Sequence, residues 1–310
     1  MTTDPRTQDQ AREQGQARTL SRRSMLGMTA GTLGGLGAAL GAGVVLAPPA
    51  SALTAHNEMS GQKLHYYNGS VDNSRAATSF SFNETTYLHA EKALEYYYAN
   101  TPGSWLKPMH LWLDGVYVNK PGMHSLGRAI DVSYIYMTVG GNLSQTFNAD
   151  WYWWRNQSSM ATYRKRYWGY VASLNHYFNP VLHYWFTPDN FSGAADYSHQ
   201  RHVHYDDGTS GQGQLATFTA SSGRNVQNYM VQSCLVYIWG ISVSIDGYYG
   251  PQTEAATRTA LSRIGYSGTL TNSSNYAAFL TESCRAGTGL YTPSLATFEK
   301  GEEAAAKSGG

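Results

Sequence analysis

Only two cysteines occur in 310 residues, Cys234 and Cys284, and they lack the close spacing of metal ligands. A thiolate metal site and a cysteine-rich scaffold are therefore excluded. Charge is scarce as well. Charged residues make up 14% of the chain and the net charge is +1, so neither nucleic acid nor an anionic membrane is implied as a partner. No arginine occurs between Ala76 and Gly127, where Lys120 is the nearest cation to the motif that follows. In place of charge the chain carries 24 tyrosines and 8 tryptophans, a composition suited to extracellular surfaces and sugar-rich ligands.

The chemistry concentrates in two short stretches. Pro121–Ser133 carries His124, Gly127 and Asp131, and His199–Asp207 carries His199, His202 and His204. Neutral imidazole and carboxylate suit a catalytic zinc that keeps one position open. The first stretch offers one of each and the second a third ligand. His202 and His204 are two apart, so in a strand both face the same side. One can hold metal while the other stands beside it. Gly127 permits a tight turn before a strand.

The pattern H-x-x-G-R-A-I-D followed by H-V-H resembles the zinc D-alanyl-D-alanine carboxypeptidase and endopeptidase family, of the superfamily shared with lysostaphin and the hedgehog signalling domain. The extensin-like secreted type is the nearest in flavour. The resemblance implies an α+β peptidase domain with an antiparallel sheet. It implies zinc held by His124, Asp131 and His204, with His202 beside the reacting atoms. His199 and Asp206 become supporting candidates. Two positions depart from the family. Its acidic residue three before the last ligand is here Arg201, which turns attention to Asp196 as a base. Its upstream arginine is missing, which leaves Lys120 to meet substrate.

Residues 1–52 read as an export signal. Thr19–Leu26 contains Arg22 and Arg23 as a twin-arginine motif, a glycine- and alanine-rich run extends from Met25 to Ala47, and Ala50-Ser51-Ala52 suits cleavage. The mature protein is then a secreted, wall-associated monomer with no membrane segment. In an exported chain the two cysteines read as one disulfide.

Residues 53–222 read as the first mature domain and residues 224–290 as the second. A helix is expected over Tyr87–Ala99, strand–turn–strand over Leu111–Val118 with Asp114-Gly115 as the turn, and a strand over Ile130–Val139. A long helix is expected over Trp151–Phe178, and strands over Val181–Phe186 and His202–Tyr205. Residues 208–223, rich in Gly, Ser, Thr and Gln, read as a flexible linker. Residues 224–290 show three helix signals, one opened by Gly250-Pro251. Val226-Gln227, Val243, Asp246-Gly247, Tyr249-Gly250-Pro251, Thr253 and Ala256 resemble the three-helix peptidoglycan-binding domain, although the family's Phe-Gln is replaced by Thr259-Ala260-Leu261. That resemblance implies peptidoglycan as the partner, and it places Tyr248 and Tyr249 at a loop tip where their rings could meet sugars. Residues 291–310 read as a polar tail.

The expected activity is hydrolysis of stem-peptide or cross-link amide bonds of the bacterial wall. The alternative is a wall-binding protein of the same fold with structural zinc and no turnover.

Overall fold

Long alternating segments rich in Leu, Val, Ile and Trp set up a sheet, and tyrosine-rich segments at helical spacing cover one side of it. The computed structural model describes residues 53–119, 122–177, 182–183, 199–206, 217–220 and 225–293. Residues 1–52, read as an export signal, Lys120, Asp196, most of the expected linker and most of the expected tail lie outside the described residues.

The strands are β1 (Thr54–His56), β2 (Glu58–Met59), β3 (Gln62–Tyr66), β4 (Phe80–Phe82), β5 (Trp105–Gly115), β6 (Ala129–Val139), β7 (Asn142–Asn148), β8 (Leu182–His183) and β9 (Val203–Asp206). The helices are α1 (Glu84–Ala99), α2 (Trp151–Trp154), α3 (Met160–Tyr177), α4 (Val226–Tyr237), α5 (Pro251–Ser262) and α6 (Ser273–Thr288). β1 and β4 form a small antiparallel pair. The main sheet runs β2-β3-β5-β6-β9-β8, with β7 also paired to β6. The fold is thus mixed α/β. The sheet expected as antiparallel is mixed, because β3 runs parallel to β5 after the α1 crossover.

β6 organises the sheet. One of its edges pairs with β5 along Asp131–Val139, while the other is shared by β9 along Ala129–Val132 and by β7 along Tyr134–Val139. The register slips where Trp112 pairs with Tyr134 but Leu113 pairs with Val132. Ser133 is therefore an extra residue in β6, a bulge that lets Asp131 and Tyr134, three apart, stand on one face. A second slip, between Leu113 and Gly115, makes Asp114 the extra residue of β5. Asp114-Gly115 is accordingly a bulge at the end of β5 and not a turn between two strands, since no strand follows over 116–118. A glycine within a strand often marks such a site.

One face of the sheet, with Leu111, Leu113, Ile130, Val132, Val203 and Tyr205, packs on α1 and α3. The other carries Tyr67, Trp112 and Tyr134 and, as shown below, the titratable cluster. The long helix expected over Trp151–Phe178 is broken into α2 and α3. Pro251 opens α5 at its first turn, as expected.

All described residues lie in one compact unit, Pro48–Gly310. A single core continues from Leu94 and Tyr97 of α1 through Tyr170 and Leu174 of α3 to Leu235 of α4 and Phe279 of α6. The chain read as two regions thus shares one interior. At the centre of the helical layer Gly169 of α3 meets Gly287 of α6, where a Cβ on Gly287 would lie 2.7 Å from the Gly169 Cα. The two cysteines are free, buried thiols, which corrects the expected disulfide. Cys234 Sγ lies against the Trp168 carbonyl oxygen, 3.9 Å away, and Met230 Sδ, 3.7 Å away. Both thiols pack in the apolar layer against α3, which suits small hydrophobic side chains as well as a bridge.

Candidate metal centre

His124 sits in a 3₁₀ turn, Met123–Leu126, ended by Gly127 in the left-handed region at φ 64°. The Gly127 and Arg128 amides donate back to the His124 and Met123 carbonyls, both at 3.0 Å. Gly127 is needed for a second reason. A Cβ there would stand 2.7 Å from Leu53 Cδ2 and 2.8 Å from the Asn83 amide nitrogen, which itself donates to the Gly127 carbonyl at 2.9 Å. The turn is thereby pinned to the start of α1. Asp131 comes from β6 and His204 from β9, directly opposite each other across the strand pair.

These three side chains converge and are buried. His124 Nε2 lies 3.2 Å from His204 Nδ1 and 3.2 Å from Asp131 Oδ2, and His204 Nδ1 lies 2.8 Å from Asp131 Oδ1. Their outer atoms determine which lone pairs face inward. His124 Nδ1 is 2.5 Å from the Val116 carbonyl oxygen, so Nδ1–H donates and Nε2 is left as an acceptor. His204 Nε2 is 3.1 Å from Asp206 Oδ2, so Nε2–H donates and Nδ1 is left as an acceptor. With both rings neutral, two imidazole lone pairs and a carboxylate meet with no donor between them. Only shared protons or a cation can reconcile three such acceptors. Tetrahedral ligands about 2.0–2.2 Å from an ion stand roughly 3.3–3.6 Å apart. An opening of a few tenths of an ångström would therefore fit the group to one. His124, Asp131 and His204 can hold a metal ion.

The electrostatics show the same demand for positive charge. Burial by itself would raise the Asp131 pKa, but His202, His124 and His204 outweigh it and hold the carboxyl well below the usual range. Burial would lower that of His204, but hydrogen bonds to Asp131 and Asp206 push it up to about 9. His202 is likewise raised, against its burial, by Asp131 and Asp114.

His202 stands beside the three and not among them. Its Nδ1 is 2.9 Å from Asp114 Oδ2, and its Nε2 is 3.8 Å from Asp131 Oδ1. The sequence reading missed Asp114 by taking it into a turn. Its signal was an acidic residue beside a glycine directly after the apolar run Leu111-Trp112-Leu113. Gly115 leaves room at the same place, since a Cβ there would lie 3.4 Å from Asp131 Oδ2 and 4.0 Å from His124 Cε1. The His199 ring centre is 5.1 Å from that of His202 and 5.7 Å from that of His204. Asp206 lies behind His204, away from the three inward atoms. Arg201 turns its guanidinium onto the Tyr152 ring, 5.5 Å from its centre.

The loop-tip tyrosines divide. Tyr248 is exposed, whereas the Tyr249 hydroxyl pairs with Thr257 Oγ1 at 2.9 Å and its ring packs on Phe218. Gln232 holds this turn, accepting from the Gly247 amide at 2.8 Å and donating to the Tyr248 carbonyl at 3.0 Å.

No protein-family model, no curated protein and no solved structure matches the chain. Among the described residues no helix is long and apolar enough to cross a membrane.

Proposed function

We propose that the protein is an exported zinc peptidase that hydrolyses stem-peptide or cross-link amide bonds of bacterial peptidoglycan. The observation that carries the reading is the convergence of His124 Nε2, His204 Nδ1 and Asp131, with both imidazole tautomers set from behind by Val116 and Asp206. Two nitrogens and one oxygen suit zinc and leave a position open. Zinc bound there would acidify a water and polarise a carbonyl, which is what amide hydrolysis requires.

The surrounding residues have parts that follow from their contacts. Asp131 supplies the negative charge that neutralises part of the ion's. Asp206 keeps the His204 lone pair pointed inward. Asp114 holds His202 by Nδ1, which presents Nε2 to the space beside Asp131. There it can give a hydrogen bond to a carbonyl oxygen or hold a proton in transit. The aromatic face beyond, with Tyr67, Trp112 and Tyr134, continues from the cluster along the same side of the sheet. The resemblance of α4–α6 to a peptidoglycan-binding module supports the wall as the partner, and the twin-arginine signal supports export of a folded metalloprotein.

A wall-binding protein without turnover is the second reading, favoured by Arg201 where the resembling family carries an acid. Incubating the full mature chain with purified wall fragments, with and without zinc, and analysing products by mass spectrometry separates the two. New peptide termini that need zinc and His202 support the peptidase. Intact fragments alongside one bound zinc per chain support binding alone, and a chain that binds no zinc removes both.

A further inference from the structure

Next to the Gly169–Gly287 contact a cleft of about 410 Å³ is lined by α3, the end of α6, residues 291–293 and the start of β5. This volume is in the range of small-ligand sites. The cleft lies apart from the metal centre, and neither resemblance accounts for it. Its wall includes Lys165, Arg166, Thr162, Ser104 and Thr288, and among the described residues no carboxylate lines it. Among the described residues the arginine and lysine ion pairs are Arg75–Asp72, Arg258–Glu254 and Arg285–Glu282, so neither cation of the cleft is neutralised. Arg166 is also held in place. Its guanidinium lies 5.0 Å over the Trp105 ring and donates to the Gln145 carbonyl at 3.3 Å, so little rotamer freedom is left to lose on binding.

The other pole of the cleft is of opposite character. It is the C-terminal end of α6, where carbonyl oxygens gather. Gly289 and Leu290 amides cap the Ala286 and Arg285 carbonyls. The Gly287 backbone, part of the lining, comes after those two capped positions. A compact dianion such as phosphate prefers backbone amides at a helix start and is poorly matched to such an end. A ligand with a carboxylate at one end and hydroxyl donors at the other satisfies both poles.

We infer that this cleft binds a carboxylate-bearing saccharide, its acid group on Lys165 and Arg166 and its hydroxyls on the α6 terminus, Ser104 and Thr162. The inference does not depend on the metal centre. The test uses the full mature chain, isotopically labelled, and follows amide shifts by NMR. The probes are N-acetylmuramic and glucuronic acids, their neutral counterparts N-acetylglucosamine and glucose, and inorganic phosphate. Both acids should shift the amides of Thr162–Arg166 and Gly287–Gly289 and bind about tenfold more tightly than the neutral sugars, as expected for a charge-assisted contact. Lys165 is exposed, so Lys165→Glu should fold. It should lose about tenfold or more in affinity, and Lys165→Gln less, with zinc content unchanged in both. Equal binding of neutral sugars, phosphate binding as tightly as the acids, shifts elsewhere, or unaltered affinity in Lys165→Glu would each overturn the assignment.

Discussion

At the residue scale, the roles of the two histidines of the H-V-H pair differ because their partners differ. His204 is held between Asp131 and Asp206, whereas His202 is held by Asp114. His124→Ala and His204→Ala should each lose zinc on dialysis, measured by elemental analysis, while His202→Ala keeps most of it. Asp114→Asn should also keep zinc and reduce turnover by roughly 100-fold, the lower end of the range for lost acid–base help, because Asp114 acts through His202; a variant that sheds its zinc would instead make Asp114 part of the ligand scaffold. The raised His204 pKa gives a pH signature in the metal-free chain. A folded value of about 9 against an ordinary 6.5 means stability that is complete below 6.5 and lost as pH rises toward 9. Asp131, held low, adds stability that is lost as pH falls below the ordinary carboxylate range. The metal-free melting temperature should therefore fall from pH 6.5 to 9, and saturating zinc should remove that fall because it takes the proton's place. Cys284 is pushed up to about 12 by burial and Cys234 is raised by the same cause. A thiol reagent should find neither in the native chain and both after unfolding without reductant; a disulfide would leave none to react.

At the element scale, the cluster depends on three irregularities that re-aim side chains. The β5 bulge brings Asp114 and Gly115 to the site face, the β6 bulge keeps Asp131 and Tyr134 together, and Gly127 turns His124 inward. Gly127→Ala is the sharpest probe, because it faults both the positive φ and the space beside Asn83. It should cost about 1–3 kcal/mol of stability and weaken zinc binding, read by denaturant unfolding and metal competition. A variant with wild-type values for both would show that the turn does not position His124. The Asp-Gly pair was misread because turn chemistry is local, whereas a bulge is defined only against the partner strand.

At the scale of the whole molecule, the C-terminal helices complete the core. Trp168 and Gly169 of α3 face α4 and α6, with Cys234 against the Trp168 carbonyl and Gly287 against Gly169. A chain ending at Ser222 would expose that layer to water. It should lose cooperative unfolding and zinc together, followed by circular dichroism and size-exclusion chromatography. A truncated chain that stays monomeric, folded and zinc-bound would instead restore the two-domain division with a free tether.

The sequence by itself picked out His124, Gly127 and Asp131 by their spacing and offered His202 or His204 as the third member, and the family resemblance pointed to His204, which the structure brings together with His124 and Asp131. The sequence also determined α1, β6 and the Pro251 helix start, because periodicity and capping are local. Only the tertiary structure decided that Asp114 supports His202, because they are 88 residues apart and meet across strands. It alone set each imidazole's tautomer, through the Val116 carbonyl and Asp206. It alone joined the two regions into one core, since an apolar helix face does not say in the sequence which neighbour will cover it.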